Sequence, residues 1–263
     1  MVIKPLQAKF EQNLSSIYPL KLLHNTMATT ASTSAGSNWF MKTLGSTLGR
    51  KLLMALTGLF LILFLTIHLI GNLQLLMSDN GKTFNEYAEF MGHNKFIQVI
   101  SISNFFFILL HITVSILLTL HNRQARPVAY AHQAKSKISP MARQMMILGT
   151  LVLIFIVVHL VNFWGKAKFG TMPVDDKGIH DLYSVTKEAF KSPLLVGLYV
   201  LSMIALAFHL SHGFQSAFQT LGLNHRKYTP FIHTLGSIYA IGVPTLYALI
   251  PILMYYWFGM SAQ

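Results

Sequence analysis

Five long apolar stretches dominate this 263-residue chain, at residues 52–77, 96–120, 145–164, 193–221 and 231–258. About 20 apolar residues, each rising about 1.5 Å in a helix, match the hydrocarbon thickness of a bilayer. Inside hydrocarbon a backbone must satisfy its own hydrogen bonds, so runs of this length predict helices. The expected fold class is therefore an all-α membrane protein, a bundle of five transmembrane helices. A composition of 53% hydrophobic and 11% charged residues excludes a soluble domain built around a single core. Pro244 and Pro251 fall in the fifth stretch, where neighbouring helices can satisfy freed carbonyls, so a kink and not a break is expected there.

The cations set the orientation. Lys42, Arg50 and Lys51 precede the first stretch, and Arg123, Arg126, Lys135, Lys137 and Arg143 lie between the second and third without any acid. Arg226 and Lys227 join the fourth to the fifth, whereas the two remaining loops mix lysines with acids and the C-terminal tail has neither Lys nor Arg. This asymmetry places the N-terminus in the cytoplasm and the C-terminus outside. The net charge of +12 comes from cations that bracket apolar spans, a pattern of membrane topology and anionic headgroups and not of nucleic-acid binding. With no cysteine in the chain, disulfides, thiolate-held iron–sulfur clusters and zinc thiolate sites are excluded here, and any cluster belongs to a partner.

Residues 1–37 form a separate region, expected to be a disordered extension on the strength of a Ser/Thr/Ala-rich tract at 29–37. Met27 followed by Ala28 offers an alternative start. Residues 38–263 form the five-helix domain.

An ionisable side chain deep in hydrocarbon is costly and is rarely kept without a role. Four of the 12 histidines, His68, His111, His159 and His209, lie in four different apolar stretches, each about 16 to 18 residues, or about 24 to 27 Å of helix, past the point of membrane entry. Because alternate spans run in opposite directions, His68 and His159 fall in the outer half and His111 and His209 in the inner half. The four sort into two pairs by height. Neutral imidazole is a common metal ligand whose second nitrogen can donate to a carbonyl one turn back. Two ligands per level suit a flat bis-His haem b clamped between helices, whereas structural zinc wants four ligands at one point. Gly71, Ser115, Ala205 and Gly213 are small residues that would let a porphyrin approach the backbone, and small residues also serve plain helix packing. His212, one turn from His209, is the rival ligand, and depth favours His209.

Glu86 and Glu89 follow the first stretch on the outer side, on one face if that segment is helical. They are candidates for exchanging quinone protons, and the same pattern fits a solvated amphipathic loop helix. His93 and His180 lie on that side as well and could assist. Arg50, Lys51, Arg226 and Lys227 are near the inner pair, where they could meet haem propionates or act as topology signals. Two further functions remain open from the residues alone: a cytochrome b serving another quinone-linked dehydrogenase, and a proton-coupled transporter using the histidines as a relay, although no repeated half of the kind transporters show is visible.

Three segments carry a resemblance. GRKLLMALTGLFLILFLTIHLIGNLQLL (49–76), FNEYAEFM (84–91) and FHLSHGFQSAFQTLGLNHRKYTPF (208–231) resemble the single-chain, five-helix, di-haem cytochrome b membrane anchor of succinate dehydrogenase and fumarate reductase, over about residues 38–258. All four histidines have counterparts there, and His209 begins the family's His-x-x-x-Gly pattern with Gly213.

The resemblance implies a three-subunit complex in the cytoplasmic (inner) membrane. A flavoprotein oxidises succinate, an iron–sulfur subunit relays electrons, and this chain anchors both and reduces quinone, with no succinate site of its own. It implies two haems b, His111 and His209 binding the iron of the inner one and His68 and His159 that of the outer one, with menaquinone as the substrate. Electrons would then cross hydrocarbon from the inner pair to the outer, and each charge moved through 100 mV is worth about 2.3 kcal/mol, enough for the membrane potential to push or oppose turnover. The basic loop with Arg123 and Arg126 and the turn at residues 224–227 offer a platform for the iron–sulfur partner.

Overall fold

A computed structural model describes residues 42–43, 45–125, 140–170, 172–174 and 178–259. The chain divides into two units after Ser46. In the first, the Ser46 N–H donates to Lys42 O at 3.1 Å, closing a helical turn. The readings made above for the Ser/Thr-rich tract, Met27, Arg126, Lys135 and Lys137 fall outside the described residues.

The second unit is helical. Among its described residues there is no strand, only one isolated bridge between Val174 and His180. Five helices are long and apolar enough to cross a membrane: Thr47–Leu76, Lys95–Gln124, Arg143–Phe169, Pro193–Thr220 and Thr229–Gly259, here the first to fifth spans. The second, third and fifth extend beyond their apolar stretches at both ends and the first at its start, because polar residues continue the helix there. Where a span begins, local chemistry marks the spot. Asn94 caps the second, its side chain accepting from the N–H groups of Phe96 and Ile97, and Ser192 caps the fourth with Pro193 in the first turn. Such caps satisfy amides that have no carbonyl one turn back.

The outward faces are apolar, with Leu63, Phe106, Leu109, Leu201 and Ile241 all exposed. In water this pattern would aggregate; in hydrocarbon it is the solvated surface, and the helices associate through close packing and interhelical hydrogen bonds. The fourth span is central, packing on the first, third and fifth, while the second packs on the first. Two tyrosines tie the fifth span to the first: Tyr239 donates to Ile62 O at 2.8 Å and Tyr247 to Leu65 O at 2.7 Å. The helix of the fifth span continues through Pro244 and Pro251, both buried.

Two segments depart from α-helical winding. Leu160–Gly165 is a π-helix that begins directly after His159, and Tyr255–Gly259 is a second at the end of the fifth span. The wider winding shifts the side-chain face, a device often found beside functional residues.

The end of the bundle at which the first span starts is called the near end; the opposite, far end carries two short amphipathic helices, Lys82–His93 and Leu182–Ala189. Asn80 and Gly81 take left-handed backbone conformations to turn the chain back, and Asp79 accepts from the Gly81 and Thr83 amides. The two short helices are locked together: Asn85 Nδ2 donates to Asp181 Oδ1 at 2.8 Å, and the Tyr183 N–H donates to Asn85 Oδ1 at 2.9 Å. Asp181 also caps its own helix by accepting from Ser184 N–H and Oγ. Burial pushes the Asp181 carboxyl up, but the bonds from Ser184 and Asn85 and the charge of Lys187 outweigh it, so the group ionises below its usual range. Beneath this cap lies a core that includes Leu69, Leu75, Phe84, Phe190, Ile250 and Met254.

Candidate functional site

The histidines stand where four spans converge. His68 comes from the first and His159 from the third, and their ring centres are 5.8 Å apart with planes at 87°. His111 comes from the second and His209 from the fourth, 6.4 Å apart at 65°. The structure thus brings the four together as two pairs, the same two that depth along the spans suggests. His209, not His212, meets the His111 ring.

These distances can be compared with those of a shared metal. Metal–imidazole bonds of about 2.0–2.1 Å, plus about 1.15 Å from nitrogen to ring centre on each side, put two axial ring centres about 6.4 Å apart. The His111–His209 separation of 6.4 Å matches that spacing and the His68–His159 separation of 5.8 Å is shorter than it.

The two sites differ in their walls. Around the far pair, His68 and His159, are aromatic rings: Phe64 stacks on His68 at 5.3 Å and 15°, Tyr247 lies 6.1 Å from it, and Phe155 and Phe163 flank His159 at 5.7 and 5.4 Å. Around the near pair the walls are small. A Cβ on Gly58 would stand 3.5 Å from His111 Cε1, and one on Gly149 would stand 3.6 Å from His209 Cε1. Each near histidine therefore sets its Cε1 edge against a glycine of the neighbouring helix.

The second ring nitrogens do not follow the expected pattern of a carbonyl one turn back. His111 Nδ1 lies 3.0 Å from Thr57 Oγ1 on the first span, and His159 Nδ1 lies 3.3 Å from the Tyr199 hydroxyl on the fourth. His209 Nδ1 is buried without a partner among the described residues. For the His111 and His159 rings a hydroxyl from an adjacent span takes the place expected of the carbonyl. Asn104 is a further polar group of this kind. It lies two turns before His111 on the same face of the second span, is 6% exposed, and its Oδ1 has no partner. An unpartnered polar atom in such surroundings is costly unless something else meets it.

These features fit a flat metal porphyrin at both levels: two imidazoles from opposed helices, glycine or aromatic walls, and buried polar atoms left unpaired. Reading the sequence missed Thr57, Gly58, Gly149, Tyr199, Tyr247 and Asn104. A signal was present for some of them, since Asn104 and Thr57 are polar residues inside apolar runs. One small residue named above serves otherwise: Gly71 makes room for Tyr87, whose ring a Cβ would meet at 2.6 Å.

Glu86 and Glu89 are on the far-end helix Lys82–His93, Glu86 exposed and Glu89 half-buried. Glu89 Oε1 is 3.1 Å from His93 Nδ1 and Oε2 is 3.7 Å from His180 Nδ1. The Glu89 carboxylate thus stands between two imidazoles at the far end of the bundle. At the near end, Lys51, Arg123, Arg226 and Lys227 are exposed and Arg50 is half-buried.

Comparison with protein-family models, with characterised proteins and with solved structures gives no match.

Proposed function

We propose that this chain is the membrane-anchoring cytochrome b subunit of a succinate:quinone oxidoreductase, conducting electrons from an iron–sulfur subunit to menaquinone. The reading is carried by one observation above all: imidazoles from four separate spans meet in two pairs, at two heights, with ring-centre separations of 5.8 and 6.4 Å. In this reading His111 and His209 bind one haem b and His68 and His159 the other. Haem bound in this way supplies a one-electron carrier whose potential the surrounding protein tunes.

The remaining roles belong to the chain itself. The spans exclude water and ions from the space between the pairs. Thr57 and Tyr199 orient ligand rings, Gly58 and Gly149 leave room beside the near rings, and the aromatic side chains enclose the far pair. Glu89, with His93 and His180, and with Glu86 on the same helix, exchanges the protons of quinone reduction. Arg123, Arg226 and Lys227 present positive charge to the iron–sulfur subunit. With the near end at the cytoplasm, as the cation asymmetry suggests, the far pair lies toward the outside.

The deciding experiment is a reduced-minus-oxidised absorption spectrum of the purified complex with haem quantitation and identification of copurifying subunits. Two haems b per chain, with a flavoprotein and an iron–sulfur protein, are expected. A chain without haem would end the reading, and a copurifying nickel or molybdenum protein would reassign the chain to another quinone-linked dehydrogenase. Unchanged quinone reduction in Glu89→Gln would remove that residue from proton exchange.

A further inference from the structure

We infer that Thr57 is a positioning residue that fixes the proton on His111 and so determines which nitrogen His111 turns toward His209. The inference rests on the cofactor reading for its consequence but not for its geometry. Thr57 is 2% exposed, and its hydroxyl has three neighbours: Leu53 O at 2.8 Å, Met54 O at 3.2 Å and His111 Nδ1 at 3.0 Å.

A hydroxyl carries one hydrogen. Pointed at His111, it would leave two oxygens, Thr57 Oγ1 and Leu53 O, facing each other at 2.8 Å with nothing between them. Pointed at Leu53 O, it makes that contact a hydrogen bond and frees a lone pair toward His111. The second arrangement makes both contacts attractive. Thr57 is therefore an acceptor toward His111, Nδ1 carries the ring proton, and the lone pair sits on Nε2. A neutral imidazole ligates through the nitrogen without the proton, and donation from the other nitrogen raises its basicity.

The near pair has this device on one ring only, since His209 Nδ1 has no partner among the described residues. At the far pair the Tyr199 hydroxyl at 3.3 Å has, among the described residues, no competing carbonyl contact to set its direction. Thr57 thus controls one ligand of one site.

The test uses the full chain with 15N-labelled histidine and three forms: wild type, Thr57→Val and Thr57→Ser. In the haem-free chain the His111 ring nitrogens, assigned by their loss in His111→Gln, should show the Nδ1–H tautomer in wild type and Thr57→Ser, and a mixture or the Nε2–H tautomer in Thr57→Val. On haem titration, Thr57→Val should weaken one of two centres by about 10- to 100-fold, the range typical of lost outer-shell partners, and raise its midpoint potential while the other stays put; Thr57→Ser should restore both. An Nε2–H tautomer in wild type, or a Thr57→Val chain with unaltered His111 nitrogens and an unaltered centre, overturns the inference. If Thr57→Val does not fold, the wild-type tautomer alone decides. A chain that binds no haem defeats the cofactor reading, and the ring-nitrogen result still decides the role of Thr57.

Discussion

The near and far histidine pairs present the same two imidazoles in different surroundings. The near pair lies against Gly58 and Gly149, with a hydroxyl from the first span on one ring nitrogen. The far pair is enclosed by Phe64, Phe155, Phe163 and Tyr247 and roofed by two interlocked short helices. One site obtains its shape by omitting side chains, the other by surrounding the rings with them. The difference teaches that the two levels can be disturbed separately, since a bulky residue harms the first and a loosened roof harms the second.

The strongest way to break the comparison is to remove a ligand. His111→Gln or His209→Gln should leave one haem per chain, and so should His68→Gln or His159→Gln. Double variants within a pair should still leave one, and double variants across pairs none, as measured by haem quantitation. Loss of both haems from a single substitution would mean that the sites are not independent.

Next comes the glycine wall. Gly149→Leu places branched carbon beyond a Cβ already 3.6 Å from His209 Cε1, an overpacking of about 1–3 kcal/mol. It should abolish or shift the near centre in the reduced spectrum and leave the far one alone. An unchanged near centre would show that the bare wall is not used.

The roof gives a third test. Gly81 has φ +80°, and a Cβ there would fall 2.0 Å from Tyr183 Cγ. Gly81→Ala should destabilise the far end by about 1–3 kcal/mol, seen as faster proteolysis near residues 77–82 and a perturbed far centre with a normal near one.

The smallest expected effect is that of acid. Asp181 ionises below its usual range when folded, so its contribution is complete above the unfolded carboxylate value of about 4 and is lost as pH falls through the lower folded value. The amides of Tyr183 and Ser184 should therefore keep their protection factors, referred to the intrinsic exchange rate at each pH, at pH 6 and lose them below about pH 4, before any change at the near end. Loss of protection already between pH 7 and 5 would point to another group.

Much of this architecture was legible without coordinates. Five apolar runs of bilayer length could only be helices, and counting residues along alternating spans sorted His68 with His159 and His111 with His209. Thr57, Gly58 and Gly149 were not legible. A threonine and two glycines in apolar helices have many uses, and only the rotation and register of neighbouring spans show that they face His111 and His209. Gly71 looked equally suited and instead accommodates Tyr87. The π-helical turn after His159 has no periodic signature either, because hydrophobic runs that face lipid carry little face information.

The sequence alone determined the number of membrane-length helices and the order of the four imidazoles along them, because the hydrocarbon thickness and the helical rise are fixed quantities that a residue count can be set against. Only the tertiary structure decided which ring nitrogen meets which hydroxyl and which wall is bare, because these depend on how each helix is turned about its own axis. That angle is set by contacts between spans far apart in the chain.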